Sequence, residues 1–329
     1  MAPRFDRAFN GGHTYADEGT YTITVSVTDV GSSQSVGVDQ VEVTVKNVAP
    51  TISLGGAVVT PEGSQYTLFL STYDPGTDTI ASYSIDWGDG SSETILAADF
   101  PANGQFQHLY PDGSDTVDIT VSVTDEDGTY QNSRTINISN IAPDIALSGD
   151  ATVDEGANYT LTLGSITDPG IDTVDTYIIR WGDGTSESIA AVDLPANGEV
   201  THVYTDGPGS PIIVVDLVDE DGTHLNAGSL NLTVNNVAPT LDISGADVVD
   251  EGSTYTLTLS DIVDPGDDIH TITVDWGDGT AAETIAVGTT SVDHIFADGT
   301  STPTISVTVA DDDGASSTNT GHQCHSCRR

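Results

Sequence analysis

The chain has 329 residues, with 51 Asp and Glu against 7 Lys and Arg, so its formal net charge is −44 and its pI is about 4.1. This charge argues against nucleic acid as a partner, because phosphate binding depends on Lys and Arg that release counterions. No stretch approaches the roughly 18 apolar residues that cross a membrane, so we expect no direct membrane insertion. With 36% hydrophobic residues, 34 Gly and 14 Pro, the composition predicts a folded chain that is rich in turns.

The two ends of the sequence show neither a secretory signal nor cysteines that could form a disulfide framework. The first residues, Met1–Asp6, are not followed by the apolar core of roughly 7–15 residues that marks a secretory signal. The only cysteines are Cys324 and Cys327, so no disulfide framework supports the fold. A single Cys-x-x-Cys pair is weak evidence for zinc, since structural zinc usually draws two such pairs from separate segments. We interpret residues 321–329 as a tail unrelated to the rest.

Internal repeats organise the sequence. Four landmarks recur in fixed order with a period of about 94 residues. They are Trp-Gly-Asp-Gly at 87–90, 181–184 and 276–279; Asn-(Val/Ile)-Ala-Pro at 47–50, 140–143 and 236–239; Asp-Pro-Gly-x-Asp at 74–78, 168–172 and 264–268; and His-x-aromatic at His13/Tyr15, His108/Tyr110, His202/Tyr204 and His294/Phe296. The chain is therefore a tandem array of modules.

The landmarks also predict the module borders. Residues 1–47 correspond to the second half of a module only, followed by modules at 48–141, 142–237 and 238–320. The last module has polar residues 315–320 where its siblings alternate apolar and polar residues, so we expect it to lack its final strand. Both ends therefore read as truncated. The strands of the half-module lack partners, which predicts poor order or association with other chains.

Each module shows the period-2 alternation of strands buried on one face. Examples are Val117/Ile119/Val121/Val123 and Tyr159/Leu161/Leu163. No window shows the 3.6-residue period of a helix. About seven short strands per module, with a Trp near the third, predict an all-β fold of tandem immunoglobulin-like β-sandwiches.

The motifs resemble the PKD (polycystic kidney disease) repeat. The match rests on Trp87-Gly-Asp-Gly90, the following His-x-Tyr segment and the strand that leads into Asp125-Glu-Asp-Gly128. Typical PKD repeats read Trp-Asp-Phe-Gly-Asp-Gly, whereas Ile85, Ile179 and Val274 stand at the first position here, which indicates a divergent subfamily. The resemblance implies an immunoglobulin-like fold and an extracellular or cell-surface location, and some PKD domains bind calcium near the linker between modules.

The Trp and His landmarks favour structural roles over catalysis. Trp87, Trp181 and Trp276 are in phase with apolar neighbours, so we expect them in the cores rather than on sugar-stacking surfaces. A His recurs in each module without a nucleophile at a fixed spacing, which favours packing against the aromatic residue two positions later. We predict that the chain is not an enzyme.

The acidic turns are the candidate binding residues. In an immunoglobulin-like topology, the Asp-Pro-Gly-x-Asp loop and the acidic loop before the last strand lie at the pole where the linker enters. Clustered carboxylates with no cation nearby repel each other, and such sets of hard oxygen ligands suit Ca²⁺; the alternative is that they are ordinary solvated turns. The three predicted sets are Asn47, Asp74, Asp78, Asp125, Glu126, Asp127; Asn140, Asp168, Asp172, Asp219, Glu220, Asp221; and Asn236, Asp264, Asp268, Asp311, Asp312, Asp313.

Two functions fit these features. The first is a non-catalytic, semi-rigid extracellular spacer or adhesive array, stiffened by calcium, whose partners are other modules of the same chain and cell-surface proteins or polysaccharides. The second is a substrate-binding accessory region of a secreted polysaccharide- or protein-degrading hydrolase. An exposed row of aromatic residues would favour the second, and Tyr73, Phe106 and Tyr130 are the residues that decide between them.

Overall fold

The computed structural model describes residues 10–28, 31, 35–297 and 302–323. The chain forms two compact units, Met1–Ile141 with Pro169–Asp172, and Ala142–Asp168 with Thr173–Arg329. The first unit contains the predicted segments 1–47 and 48–141, and the second contains most of the modules 142–237 and 238–320. Among the described residues the structure is built from strands, with single 3-10 turns at Ala97–Asp99 and Ala191–Asp193. No helix in these ranges is long and apolar enough to span a bilayer.

The N-terminal half-module is a two-stranded antiparallel ribbon. It consists of β1 (Gly19–Thr28) and β2 (Ser35–Val45). The strands pair only with each other in the described part of the chain, and their apolar side chains Ile23, Val25 and Val41 are between 42% and 59% exposed. The ribbon has no opposing sheet to bury these side chains within the described residues, so association with other chains stays a prediction.

The first complete module is a sandwich of a three-stranded and a five-stranded sheet. The orders are β3-β5-β8 and β4-β10-β9-β6-β7, and the β4–β10 pair is parallel. The strands are β3 (Thr51–Gly55), β4 (Val59–Pro61), β5 (Gln65–Tyr73), β6 (Ser82–Asp86), β7 (Ser92–Leu96), β8 (Gln105–Leu109), β9 (Thr116–Thr124) and β10 (Thr129–Ser139).

The second module repeats this plan. Its sheets have the orders β11-β13-β16 and β15-β14-β17-β18, with a separate parallel pair β12-β19. The strands are β11 (Asp144–Gly149), β12 (Thr152–Asp154), β13 (Asn158–Thr167), β14 (Thr176–Arg180), β15 (Ser186–Ala190), β16 (Glu199–Val203), β17 (Ile212–Val218), β18 (Thr223–Asn231) and β19 (Thr233–Asn235).

The third module has the orders β20-β21-β24 and β23-β22-β25-β26. The strands are β20 (Ile243–Ser244), β21 (Thr254–Leu259), β22 (Thr271–Asp275), β23 (Glu283–Ile285), β24 (Ser291–Ile295), β25 (Thr304–Ala310) and β26 (Ser316–Gln323). The three sandwiches confirm the all-β, immunoglobulin-like prediction.

The expected loss of the last strand in the third module is wrong. β26 pairs antiparallel with β25 from Ala310↔Ser316 to Thr304↔Gln323. The pairing depends on backbone groups, and polar side chains anchor the strand: Asn319 Nδ2 donates to the carbonyl oxygen of Leu241 at 3.2 Å. In the first module, Asn132 Nδ2 donates in the same way to the carbonyl oxygen of Ile52 at 2.7 Å. The strand includes residues 321–323 of the predicted tail, and residues 324–329 lie outside the described ranges.

Each core lies between the two sheets and contains the Trp of the repeated motif. Trp87, Trp181 and Trp276 are each 2% exposed, which confirms that they are core residues. In the first core, Leu68 of the three-stranded sheet meets Ile85 and Val121 of the five-stranded sheet, all at 0% exposure. The inward-facing side chains of both sheets form the core. The acidic residues of interest lie in the loops at the ends of the sandwich.

Candidate metal centre

The repeated His belongs to a structural cluster on the Trp. His108 stacks on Trp87 with 4.6 Å between ring centroids and an interplanar angle of 7°, and the pairs His202/Trp181 and His294/Trp276 repeat this geometry at 4.5 Å. Each imidazole also contacts the aromatic ring two residues later edge-on, at 4.6–4.7 Å. The expected packing role of the histidine is confirmed.

A carboxylate fixes the same imidazole, which the sequence did not reveal. His Nε2 lies 2.6–2.8 Å from Oδ2 of the Asp in Trp-Gly-Asp-Gly, namely Asp89, Asp183 or Asp278. The other oxygen, Oδ1, accepts a Ser or Thr hydroxyl at 2.6 Å, so the Asp closes the turn and holds the His. Burial opposes the effect, yet hydrogen bonds from Thr280 and His294 lower the pKa of Asp278 to about 2. The same arrangement recurs in all three complete modules and in each one closes the Trp-Gly-Asp-Gly turn.

The acidic loops of the first unit meet as expected. The loop after β5 contributes Asp74 and Asp78, and the loop after β9 contributes Asp125. One carboxylate oxygen from each of the three lies within 4.8 Å of the others. Asp74 Oδ1 accepts the N–H of Gly76 at 2.8 Å, and Asp125 Oδ1 accepts the N–H groups of Asp127 and Gly128 at 2.9 Å. These turn hydrogen bonds occupy Oδ1 and leave Oδ2 of both residues available for a ligand.

Three oxygens of this set are buried without a hydrogen-bond donor. They are Asp74 Oδ2, Asp125 Oδ2 and Asn47 Oδ1 of the linker. Asp125 is only 7% exposed. The Nδ2 group of Asn47 donates a hydrogen bond to the Tyr130 hydroxyl oxygen at 2.8 Å. Burial together with the charges of Asp74 and Asp127 raises the pKa of Asp78. Buried acceptors without donors are costly, and an oxygen-ligated cation relieves that cost.

The other two predicted residues of the first set have different surroundings. Glu126 Oε2 accepts the backbone N–H of Thr79 at 2.6 Å and so ties the two acidic loops together. Asp127 is exposed. The structure therefore brings together Asp74, Asp78 and Asp125, Asn47 lines the same cavity as Asp78, and Glu126 ties the two loops together.

The third predicted set has the same backbone arrangement and different partners for its oxygens. Asp264 Oδ2 lies 2.6 Å from His270 Nε2, and Asp311 Oδ2 accepts Asn236 Nδ2 at 3.1 Å. Asp312 Oδ1 accepts the N–H of Ile269 at 2.9 Å, as Glu126 does for Thr79. Oxygens of Asp268, Asp312 and Asp313 lie within 4.8 Å of one another.

The second predicted set divides between the two units. Asn140 and Asp172 belong to the first unit, and Asp168, Asp219, Glu220 and Asp221 belong to the second. Within the second unit, Asp219 is 8% exposed and its carboxylate lies 2.8–2.9 Å from His224 Nε2. Glu220 Oε2 accepts the N–H of Thr173 at 3.0 Å, repeating the loop tie of Glu126.

The sequence reading missed a buried glutamate that holds the linker. Glu155 is 1% exposed, and its carboxylate accepts the N–H of Gly207 at 2.7 Å and that of Val237 at 2.6 Å. In the first unit, Glu62 is 0% exposed and accepts the N–H groups of Gly113 at 2.7 Å and Ile141 at 2.6 Å. A signal was present: Glu-Gly recurs at 62–63, 155–156 and 251–252, in the period of the other landmarks.

Each of the two units contains a further acidic cluster. Oxygens of Glu155, Asp206 and Asp268 lie within 4.8 Å of one another in the second unit, as do those of Asp17, Glu18 and Asp78 in the first. Burial, with the charges of Glu155 and Asp264, raises the pKa of Asp268 to about 6. Asp78 and Asp268 each belong to two clusters.

Comparison with known proteins identifies the last module. Residues 236–324 match the family model of the PKD domain, which confirms the resemblance drawn from the motifs. No curated protein matches the chain. Similar solved structures include an ectodomain fragment of ICAM-5, at 14% identity over 94% of this chain and 83% of that chain, with a TM-score of 0.42.

Two further solved structures resemble the chain to a similar extent. The three N-terminal domains of the bacteriophage RB49 outer capsid protein Hoc have 12% identity over 84% of this chain and 98% of that chain, with a TM-score of 0.31. The immunoglobulin domains 1–5 of Sidekick-1 have 14% identity over 95% of this chain and 66% of that chain, with a TM-score of 0.37.

Proposed function

We propose that the chain is a non-catalytic structural and adhesive array that works as a semi-rigid extracellular spacer, stiffened by calcium, because residues 236–324 match the PKD domain model and two earlier modules repeat its landmarks. The observation that carries the calcium part is the set of three buried oxygens without donors on Asn47, Asp74 and Asp125. The two parts are separable by experiment.

The semi-rigid part of the proposal rests on the linker. Pro50, Pro143 and Pro239 restrict their own backbone and that of the preceding residue. In the second unit, Glu155 of one module accepts the N–H of Val237 in the linker, which fixes the chain where it passes to the third module. A buried carboxylate that holds two backbone donors reduces the freedom of the linker, as a spacer requires.

The non-catalytic part rests on repetition. The groups that could perform acid–base chemistry, His108 with Asp89 and their two equivalents, stack on a buried Trp and close a turn in every module. Ser91 Oγ donates to Asp89 Oδ1 at 2.6 Å, so this hydroxyl is directed to the carboxylate rather than positioned for attack.

The calcium part rests on the chemistry of the first pole. Ca²⁺ takes six to eight oxygen ligands, and Asp74, Asp78 and Asp125 bring three carboxylate oxygens within 4.8 Å of one another. The buried amide oxygen of Asn47, which has no donor, is the fourth ligand in this proposal. Binding would join the linker residue Asn47 to two loops of the following module. The bound ion would therefore stiffen the joint at which it lies.

Calorimetric titration of the full chain with Ca²⁺ in chelator-treated buffer tests this part, together with thermal unfolding. At a calcium concentration about 100-fold above Kd, we expect Tm of the first unit to rise by roughly 5–10 °C. Asp125→Asn should abolish the shift. Asp99→Asn removes the same charge from an exposed 3-10 turn and should retain it. Absence of both a heat of binding and a Tm shift at millimolar Ca²⁺ would contradict the calcium proposal and would not affect the spacer proposal.

An extracellular or cell-surface location follows from the proposal, with cell-surface proteins or polysaccharides as partners and no nucleic acid. Fractionation of cells that express the native gene, followed by surface labelling with a reagent that does not cross membranes, tests the location. Recovery of the protein only from cytosol would contradict it.

The accessory-region alternative is favoured by one observation. Phe69 and Tyr73, four residues apart on the outer face of β5, are 47% and 69% exposed. Of the other two deciding residues, Phe106 is 6% exposed and Tyr130 is half-buried with its hydroxyl on Asn47. Phe69 and Tyr73 offer two exposed rings for stacking on a sugar, which is fewer than the row of aromatic residues that the accessory function predicts.

Affinity electrophoresis in gels that contain insoluble or soluble polysaccharides decides between the alternatives. Retardation that is lost in Tyr73→Ala and kept in Tyr130→Phe would support the accessory function. Equal mobility in every polysaccharide would favour the spacer.

A further inference from the structure

The acidic poles of the two units differ in what their oxygens contact. Asp74 and Asp264 are equivalent, and in both Oδ1 accepts the N–H of the turn glycine, at 2.8 Å and 3.2 Å respectively. Oδ2 of Asp74 is buried without a donor, whereas Oδ2 of Asp264 lies 2.6 Å from His270 Nε2. The same carboxylate oxygen is thus open in the first unit and occupied in the second.

One residue accounts for this difference. His270 stands six positions after Asp264, and Ile80 stands six positions after Asp74. Ile80 packs against the apolar core of its module and offers no hydrogen-bond donor to the pole. The side chains of His270 and Asp264 are 15% and 3% exposed, so the imidazole is held inside the pole against a buried carboxylate.

Tyr130 explains why Asp125 Oδ2 also lacks a donor in the first unit. Tyr130 stands five positions after Asp125, and its hydroxyl oxygen accepts the hydrogen bond that Asn47 Nδ2 donates. Asp125 Oδ2 therefore has no donor. Ser316 stands at the equivalent position after Asp311 and is exposed. There the amide of Asn236 turns to Asp311 Oδ2 at 3.1 Å instead. The second unit therefore pairs the Oδ2 atoms of Asp264 and Asp311, whose equivalents on Asp74 and Asp125 are open, while Asn236 Oδ1 and Asp268 Oδ2 are buried without a donor.

We infer that His270 occupies in the second unit the place that Ca²⁺ takes in the first, so that His270 and Ile80 decide which pole binds the ion. This inference rests on the proposed calcium function. An imidazole whose Nε2 lies 2.6 Å from Asp264 Oδ2 uses the acceptor site of this oxygen that faces the pole and fills the space in which a cation would bind it. In the second module, His224 Nε2 lies 2.9 Å from Oδ1 of Asp219, the equivalent of Asp125.

Lack of charge does not explain the difference. The second unit carries Asp268, Asp312 and Asp313 with oxygens within 4.8 Å of one another at the same pole. Asp312 and Asp313 are exposed, and Asp312 is committed to the N–H of Ile269. Solvated carboxylates of this kind attract cations without fixing them.

Calcium stoichiometry of the full chain tests the inference. We expect His270→Ile, which copies Ile80, to bind one more ion per chain than the unsubstituted chain. His270→Gln keeps an N–H donor beside Asp264 and should leave the stoichiometry unchanged. Ile80→His should bind one ion fewer, as should Asp125→Asn. Circular dichroism and Trp fluorescence verify that each variant is folded.

The outcomes separate the two proposals. If the unsubstituted chain binds calcium and Asp125→Asn removes one ion, the calcium function stands. If folded His270→Ile then gains no ion, or if the extra ion also appears with His270→Gln, the role of His270 is overturned. If the unsubstituted chain binds no calcium, both proposals fail together.

Discussion

The carboxylate of Glu155 accepts the backbone N–H of Val237 at 2.6 Å, although 82 residues separate them in the chain. Its other oxygen accepts the N–H of Gly207 at 2.7 Å, and the side chain is almost wholly buried. A charged acceptor with two backbone donors is a strong and directional contact. It holds the Asn-x-Ala-Pro linker to the body of the second module, and so it fixes where the third module begins.

Glu155→Gln should destabilise this attachment. The amide replaces one acceptor oxygen with an NH₂ group that faces an N–H donor, so we expect a loss of about 2–4 kcal/mol. Urea unfolding followed by Trp fluorescence gives the free energy, and limited proteolysis gives the rate of cutting within residues 236–239. Glu251→Gln changes the equivalent residue of the third module, which is exposed, and should be neutral. Equal effects of the two variants would contradict the role of Glu155.

Asp278, which accepts hydrogen bonds from Thr280 and His294, should contribute stability that is lost in acid. These hydrogen bonds, those from Thr280 first, lower the pKa of Asp278 to about 2, against about 3.9 for an unfolded chain. The stability that they contribute is therefore present above pH 4 and is lost as the pH falls toward 2. Asp278→Asn should lower Tm at pH 5 and make little difference at pH 2. Asp261→Asn, at an exposed position, serves as the control, and a deficit that persists at pH 2 would argue against the pairing.

Asp268 should have the opposite pH dependence. Burial and the charges of Glu155 and Asp264 raise its pKa to about 6. A raised carboxyl pKa stabilises the fold below about pH 4, and this contribution is lost as the pH rises through 6. In chelator, Asp268→Asn should raise Tm at pH 7 and leave it nearly unchanged at pH 4. The neighbouring exposed Asp267→Asn should show no such difference, and a gain from Asp268→Asn at both pH values would rule out titration as its cause.

Asn319 should anchor the last strand of the third module. Its Nδ2 group donates to the carbonyl oxygen of Leu241 at 3.2 Å and links β26 to the segment just before β20, the first strand of the opposite sheet. Asn319→Ala should cost about 1 kcal/mol, the usual contribution of a neutral hydrogen bond. Thr320→Ala changes an exposed residue of the same strand and should cost less. Hydrogen exchange of β25 and β26 would locate the effect, and unchanged protection would show that the backbone ladder alone holds the strand.

The internal repeats made it possible to predict the fold from the sequence. The period of about 94 residues, the alternation of each strand and the phase of Trp87, Trp181 and Trp276 all follow from local geometry, because a residue's position along a strand decides which face it occupies. The convergence of Asp74, Asp78 and Asp125 followed from the topology of an immunoglobulin-like sandwich. The expected loss of β26 failed because apolar alternation was required of a strand whose polar side chains bind backbone carbonyls instead.

Only the tertiary structure decided which acidic oxygens lack a donor. The three predicted sets look alike in sequence, since each supplies an Asn, an Asp-Pro-Gly-x-Asp loop and an acidic turn. Ile80 against His270, and Tyr130 against Ser316, determine whether Asp74 and Asp125 stay open or become paired like Asp264 and Asp311. Such pairing depends on hydrogen bonds of 2.6–3.1 Å, one between residues six positions apart and one between residues 75 positions apart, and the composition of an acidic turn does not specify them.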